Sequence, residues 1–169
     1  MGFFDFLNPQ PKIPVVSTIL PDIAKQEILL GRLPILKTNK IFLKKGEVCH
    51  YIDKAIYEKK TIRKRTLRRS TGYSMPGLFK GTRINLGSGK TDTVDDIQYD
   101  TIRGIIYITN RRIIFVGDQC GFDKKADDLI AITPYTNCIE LQFSKEIYKI
   151  FVPDGNIPHI VLQHIRKGG

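Results

Sequence analysis

The strongest constraint on the fold lies between residues 102 and 116. Ile102, Gly104, Ile106 and Ile108 recur at every second position, with Arg103, Ile105 and Tyr107 between them. A period of two sets the first group on one face of an extended chain and the second on the other. Arg112 to Val116 resumes the apolar pattern after a short polar break. Asn110 and Arg111 are expected to form the tight turn, Asn110 supplying the positive φ that such hairpins need. A chain with two adjoining strands of this kind must bury one face of a sheet.

The rest of the chain supports a mainly β body. Mixed apolar and polar segments predict strands near 48–58, 61–68, 73–86, 129–132, 138–143 and 147–152. Pro76-Gly77 and Gly81 break the third of these, and Gly87-Ser88-Gly89 reads as a turn. A short helix is expected from about Asp22 to Leu30, with Pro21 near its start and Gly31 just past its end. A terminal helix follows, capped by Asn156, with Pro158 in its first turn and Ile157, Ile160, Val161 and Ile165 forming its apolar stripe. Hydrophobic residues make up 41% of the 169, enough for a real core. Residues 1–42 read as an N-terminal arm with a short helix, and residues 43–169 as the domain proper. The arm carries Phe3, Phe4, Phe6 and Leu7 ahead of Pro9, Pro11, Pro14 and Pro21, so its apolar tip must dock on its own domain, a neighbouring subunit or a membrane.

Charge is unevenly placed. The chain has 27 Lys+Arg against 17 Asp+Glu, a formal net charge of +10. No acid occurs from Lys59 to Thr91, a stretch that holds Lys59, Lys60, Arg63, Lys64, Arg65, Arg68, Arg69, Lys80, Arg83 and Lys90. Those ten cations equal the whole net charge. Asp92, Asp95, Asp96 and Asp100 follow at once and are expected to pair with the cations, within one chain or between subunits. A cationic lobe of this density repels itself, and an anionic partner relieves the repulsion.

The segment Gly104-Ile105-Ile106-Tyr107-Ile108-Thr109-Asn110-Arg111-Arg112-Ile113-Ile114-Phe115 resembles the hairpin of the pleckstrin-homology-like superfold, and most closely its GRAM and bacterial pleckstrin-homology-like branches. Gly46-Glu47 is similar to the Gly-Glu that opens such domains, and Asp128 to Ile132 to a later strand of theirs. The resemblance covers about residues 43–167. It implies a bent β-sandwich or barrel of about seven antiparallel strands in two nearly orthogonal sheets, capped by the C-terminal helix. It leaves the arm and first helix outside, and implies a scaffold that binds lipids, peptides or proteins. In lipid-binding members, cations on the first two strands and their loop hold phosphates. Lys60, Arg63 and Arg65 echo that pattern with a shorter spacing after Lys60. Arg63 and Arg65 fall on one strand face and Lys64 and Arg68 on the other, so a broad anionic surface suits them better than a single pocket. Thr109, Asn110 and Arg112 read as hairpin chemistry with a strand-end cation.

Other chemistries find little support. Gly87-Ser88-Gly89-Lys90-Thr91 lacks the first glycine of a phosphate loop, because Ile84 stands there. His50, His159 and His164 have no metal-ligand spacing, and the four aspartates lack the alternation of a calcium loop. Cys49, Cys120 and Cys138 are isolated, with no Cys-x-x-Cys. A cytoplasmic protein is expected, peripheral at the membrane if acidic lipid is its partner; the start has no basic region of a secretory signal. No enzyme activity, cofactor or metal is expected. The expected function is a binding module. Its cationic surface, made of Lys60, Arg63, Lys64, Arg65, Arg68, Arg69, Lys80 and Arg83, meets acidic membrane lipid or an acidic protein. The alternative is assembly into a homo-oligomer through the arm. Nucleic-acid binding is a third reading, weakened by sparse aromatics and the absence of Trp.

Overall fold

The computed structural model describes the backbone of residues 12–76 and 83–168, and the side chains of 12–67 and 91–168. Phe3, Phe4, Phe6, Leu7 and Lys80 lie outside the described residues. The chain divides into two compact units, Met1–Lys59 with Thr101–Gly169, and Lys60–Asp100.

Helix α1 spans Asp22–Leu29 and helix α2 spans Asn156–Lys167. Between them run β1 (Cys49–Pro76), β2 (Arg83–Thr109), β3 (Arg112–Gly117), β4 (Gly121–Lys125), β5 (Ala131–Pro134), β6 (Cys138–Gln142) and β7 (Ile147–Phe151). The strands form one sheet in the order β4-β3-β2-β1-β7-β6-β5, with the β1–β7, β2–β3, β3–β4, β5–β6 and β6–β7 pairs antiparallel. The β1–β7 ladder, with Ile56 opposite Phe151 and Tyr57 opposite Ile150, makes the hydrogen bonding continuous where two separate sheets were expected. β4 and β5 are the two margins.

The sheet of the first unit is strongly bent. Four strand steps separate β4 from β7, which would be roughly 19 Å across a flat sheet at ~4.8 Å per strand. Yet the rings of Phe122 on β4 and Tyr148 on β7 have centroids 4.2 Å apart. Tyr57, Phe115 and Phe143 extend this aromatic contact, and Lys124 forms an ion pair with Glu146 beside it. The curl encloses a core of Tyr51, Ala55, Ile102, Ile106, Ile108, Ile113, Phe115, Ile139, Leu141 and Ile150. Gly104 faces Gly117 across the β2–β3 ladder, and a Cβ on Gly104 would run into the Val116 carbonyl and the Phe115 ring. Cys49, Tyr107 and Ile114 form a smaller cluster with Ile41, Ile52 and Ile105 packed against it. The alternation read at 102–108 is thereby realised.

Both helices close this core. α2 buries Ile157, Pro158, Val161 and Leu162, while Ile160 and Ile165 are only partly buried. Its cap differs from expectation. Asn156 is the first helical residue, and its N–H donates to Asp154 Oδ1 at 3.0 Å. α1 sends Ala24 and Ile28 into the same core, together with Leu20. It ends at Gly31, whose φ of +77° suits a residue without Cβ. Gly31 N–H donates to Ile28 O and Arg32 N–H to Glu27 O, which closes the last turn in a Schellman motif.

Four expectations about the strands change. The segments near 48–58, 61–68 and the start of 73–86 belong to a single 28-residue β1. Gly87-Ser88-Gly89 lies inside β2 and not at a turn, since glycine also reaches extended backbone freely. β4, Gly121–Lys125, was not expected, because Gly-Phe-Asp-Lys-Lys has a single apolar side chain. The strand expected at 129–132 begins at Ala131, after a 3₁₀ turn at Ala126–Asp128.

Asp53 on β1 anchors the entry to α1. It is 3% exposed and accepts from Thr18 Oγ1 at 2.8 Å, Ile19 N–H at 2.7 Å and Lys54 N–H at 2.9 Å. Asp53→Ala leaves those donors without their acceptor. Unfolding in denaturant should show a loss of about 2–4 kcal/mol, and limited proteolysis should cut earlier within residues 12–20. An unchanged midpoint would mean that other contacts hold this segment.

Candidate functional site

Lys60, Arg63, Lys64 and Arg65 lie together on the part of β1 that belongs to the second unit, and their side chains are exposed. Arg68 and Arg69 continue β1 and Arg83 opens β2, but their side chains lie outside the described residues. Side chains alternate along a strand, so Arg63 and Arg65 project from one face and Lys60 and Lys64 from the other. Neither face is covered: residues 62–67 and 91–100 are all exposed. Aliphatic and aromatic groups share this exposure, with Ile62, Leu67, Val94, Ile97 and Tyr99 each at least 42% accessible.

Asp92, Asp95, Asp96 and Asp100 are exposed, and Asp100 accepts from Thr61 Oγ1 at 3.2 Å. Among the described residues, neither these acids nor Lys59, Lys60, Arg63, Lys64 and Arg65 form an ion pair. The side chains of Lys60, Arg63, Lys64 and Arg65 are thus open to solvent. A two-stranded ribbon with both faces in water has no core to hold it, and such ribbons are marginal in isolation.

The residues of the Thr-Asn-x-Arg hairpin do something else. Glu47 is buried, and its carboxylate accepts from Thr109 Oγ1 at 2.7 Å, Arg112 Nε at 2.9 Å, Arg112 Nη2 at 2.8 Å and Lys44 N–H at 2.8 Å. Burial pushes the Glu47 carboxyl up, but the hydrogen bonds from Arg112, the Lys44 amide and Thr109 outweigh it and hold the pKa at about 2. Arg112 also donates to Asp123 and to the Phe42 carbonyl. Its pKa is raised, chiefly by the hydrogen bond to Glu47.

Asn110 supplies no positive φ; among the described residues only Gly31 and Gly46 have one. Instead, Asn110 Oδ1 accepts from Val48 N–H at 3.0 Å, and Asn110 Nδ2 donates to Gly46 O at 3.2 Å. Thr109 Oγ1 accepts from the N–H groups of Arg111 and Arg112 and thereby shapes the turn. Thr109, Asn110 and Arg112 thus tie the hairpin to the segment before β1, a structural role.

Histidines and cysteines are spread out. His50 Nδ1 lies 2.8 Å from Pro34 O, and His164 Nδ1 lies 2.9 Å from Ile160 O. His159 lies 3.1 Å from Gln163. Burial pushes the Cys49 thiol up to about 11, and also raises Cys138. A groove of about 420 Å³ runs beside Lys12, Ile13 and Pro14, with Glu58, Glu140 and Lys149 on its wall. There Lys149 pairs with Glu58 at 3.1 Å across the β1–β7 ladder. Sequence reasoning passed over Phe42, which is 97% exposed, and Asp53, a charged side chain standing in the buried alternation of Cys49, Tyr51 and Ala55.

Comparison of the chain with protein-family models, with curated proteins and with solved structures gives no match.

A carboxylate held below its unfolded pKa stabilises the fold above that unfolded value and ceases to do so as pH falls through the folded one. For Glu47 the window runs from 4.5 down to about 2. A shift of that size corresponds to about 3 kcal/mol. Glu47→Gln should therefore lower stability at pH 7 by that order, and the gap from wild type should narrow between pH 4.5 and pH 2 in denaturant titrations. A gap independent of pH would assign the effect to packing alone.

Proposed function

We propose that this chain is a non-enzymatic binding module of the pleckstrin-homology-like kind, whose cationic β1–β2 ribbon meets an acidic membrane surface. The observation that carries the reading is the exposure of Lys60, Arg63, Lys64 and Arg65 on both faces of the ribbon, without an ion pair among the described residues. An open ribbon supports contact with an extended anionic surface better than capture of one headgroup in a pocket. The strand order, the closing helix and the Glu47–Arg112 tie between the two motif segments support the family resemblance. Among the described residues no helix is long and apolar enough to cross a membrane, so attachment of this kind is peripheral.

Each cation near an acidic bilayer adds about 1 kcal/mol, falling off within a Debye length. Only one face of a ribbon can lie on a plane, so only part of the cationic set acts at once. The chain should pellet with vesicles containing phosphatidylserine, and release near ~0.5 M salt. Replacing Lys60, Arg63, Lys64 and Arg65 with Gln should weaken binding at least about tenfold. Equal binding to neutral vesicles would defeat the proposal.

A second reading is self-assembly. Its support is the uncovered apolar side chains Ile62, Leu67, Val94, Ile97 and Tyr99, next to hydrated cations and acids on one two-stranded unit. Ribbons of two copies could cover each other and match opposite charges. The N-terminal arm, Phe3 to Leu7, offers another apolar contact for assembly. Light scattering should then show an oligomer that dissociates when Ile97 and Tyr99 become Ser, or when residues 1–20 are removed. A monomer at all concentrations would refute assembly.

A further inference from the structure

The segment from Thr38 to Glu47 presents a second surface of distinct chemistry. Phe42 is 97% exposed, and Leu43 beside it is 37% exposed. Lys37, Lys40, Lys44 and Lys45 flank them, all exposed, and none forms an ion pair among the described residues. Arg111 joins this group: its Nη2 lies 3.4 Å from where a Cβ on Gly46 would sit. Glu47, the one acid in the segment, is buried and neutralised by Arg112. The exterior of the loop is therefore cationic around an apolar tip.

The tip is held in this exposed position by its own framework. Ile41 packs inward against the cluster of Cys49, Tyr107 and Ile114. The Phe42 carbonyl accepts from Arg112 Nη2 at 2.9 Å. Lys44 N–H donates to Glu47 Oε2 at 2.8 Å, and Glu47 N–H returns to Lys44 O at 2.9 Å. Gly46, at φ +75°, completes the turn. With the backbone tied at both sides of Phe42, insertion of its ring orders little additional chain.

The geometry points to this loop as an interfacial membrane anchor, in which Phe42 and Leu43 enter the headgroup–acyl boundary of an acidic bilayer while Lys40, Lys44, Lys45 and Arg111 contact the phosphates. Lysines on both sides of an aromatic tip suit this boundary, since their aliphatic stems follow the apolar region and their ammonium groups reach the headgroups. Charge complementarity selects anionic lipid over neutral lipid. The loop shares its partner with the ribbon proposed above but engages it through different residues.

The chain has no Trp, so Phe42→Trp places a single reporter at the tip. With vesicles of phosphatidylcholine and phosphatidylserine at low salt, emission from the introduced indole should shift to the blue and be quenched by lipids brominated on their acyl chains. Phe42→Ser should lower vesicle partitioning about fivefold or more, while the unfolding midpoint stays unchanged. Unmoved emission on vesicles that do pellet the protein would overturn the anchor and leave the ribbon reading intact. A blue shift that emerges without lipid as protein concentration rises would assign the loop to a second copy and overturn the anchor too. No pelleting at all would overturn both readings. A lipid-dependent shift that survives neutralisation of Lys60, Arg63, Lys64 and Arg65 would support the anchor and remove the ribbon from the contact.

Discussion

The buried pair of Glu47 and Arg112 is the tie on which the first unit is organised. Glu47 precedes β1 and Arg112 begins β3, 65 residues further along the chain. Their contact, with Thr109 and Asn110, fixes where β1 enters the sheet relative to the β2–β3 hairpin. The side chain of Glu47 is fully buried and that of Arg112 is 12% exposed, so both ions lose much of their water. Such a pair adds little net stability against an apolar replacement, but removing one partner leaves the other charge uncompensated and is costly. Its value here is positional: these donors and acceptors meet only when hairpin, loop and strand are in register. The same tie presents Phe42 outward.

The second organising fact is the curl that brings β4 against β7. Aromatic rings fill the space where the two approach, edge-to-face or tilted, and an ion pair closes the rim. The small residues Gly104 and Gly117 let the ring of Phe115 lie close over β2 and β3. α1 and α2 then cover what the curl leaves open, and both draw on core positions shared with the strands.

Periodicity made the body legible and left the ties between distant segments unread. Residues 102–116 could be placed because alternation reports burial of one face, and α2 because its apolar residues recur at helical spacing. The long β1 and β2 were hidden because the described ribbon side chains, 62–67 and 91–100, are all exposed and follow no apolar alternation. β4 was hidden because one phenylalanine carries its burial. Thr109, Asn110 and Arg112 were recognisable as a motif, yet their partners Gly46, Glu47 and Val48 lie more than 60 residues away. Asn110 reads as a turn residue because asparagine tolerates positive φ; its amide clasps another segment instead. For the candidate site, the cluster of cations was plain in the sequence. That Lys60, Arg63, Lys64 and Arg65 are exposed along one strand of a ribbon could be learned only from three dimensions.

The margins of the curled sheet have a consequence for how copies of this chain can meet. β5 ends at Pro134, which has no amide hydrogen to offer an incoming strand there, and β4 ends in the exposed Lys125, with Lys124 engaged by Glu146. Both features make these borders poorer templates for an added strand. A second molecule meeting the chain at these borders would do so through side chains more readily than through a continued backbone ladder.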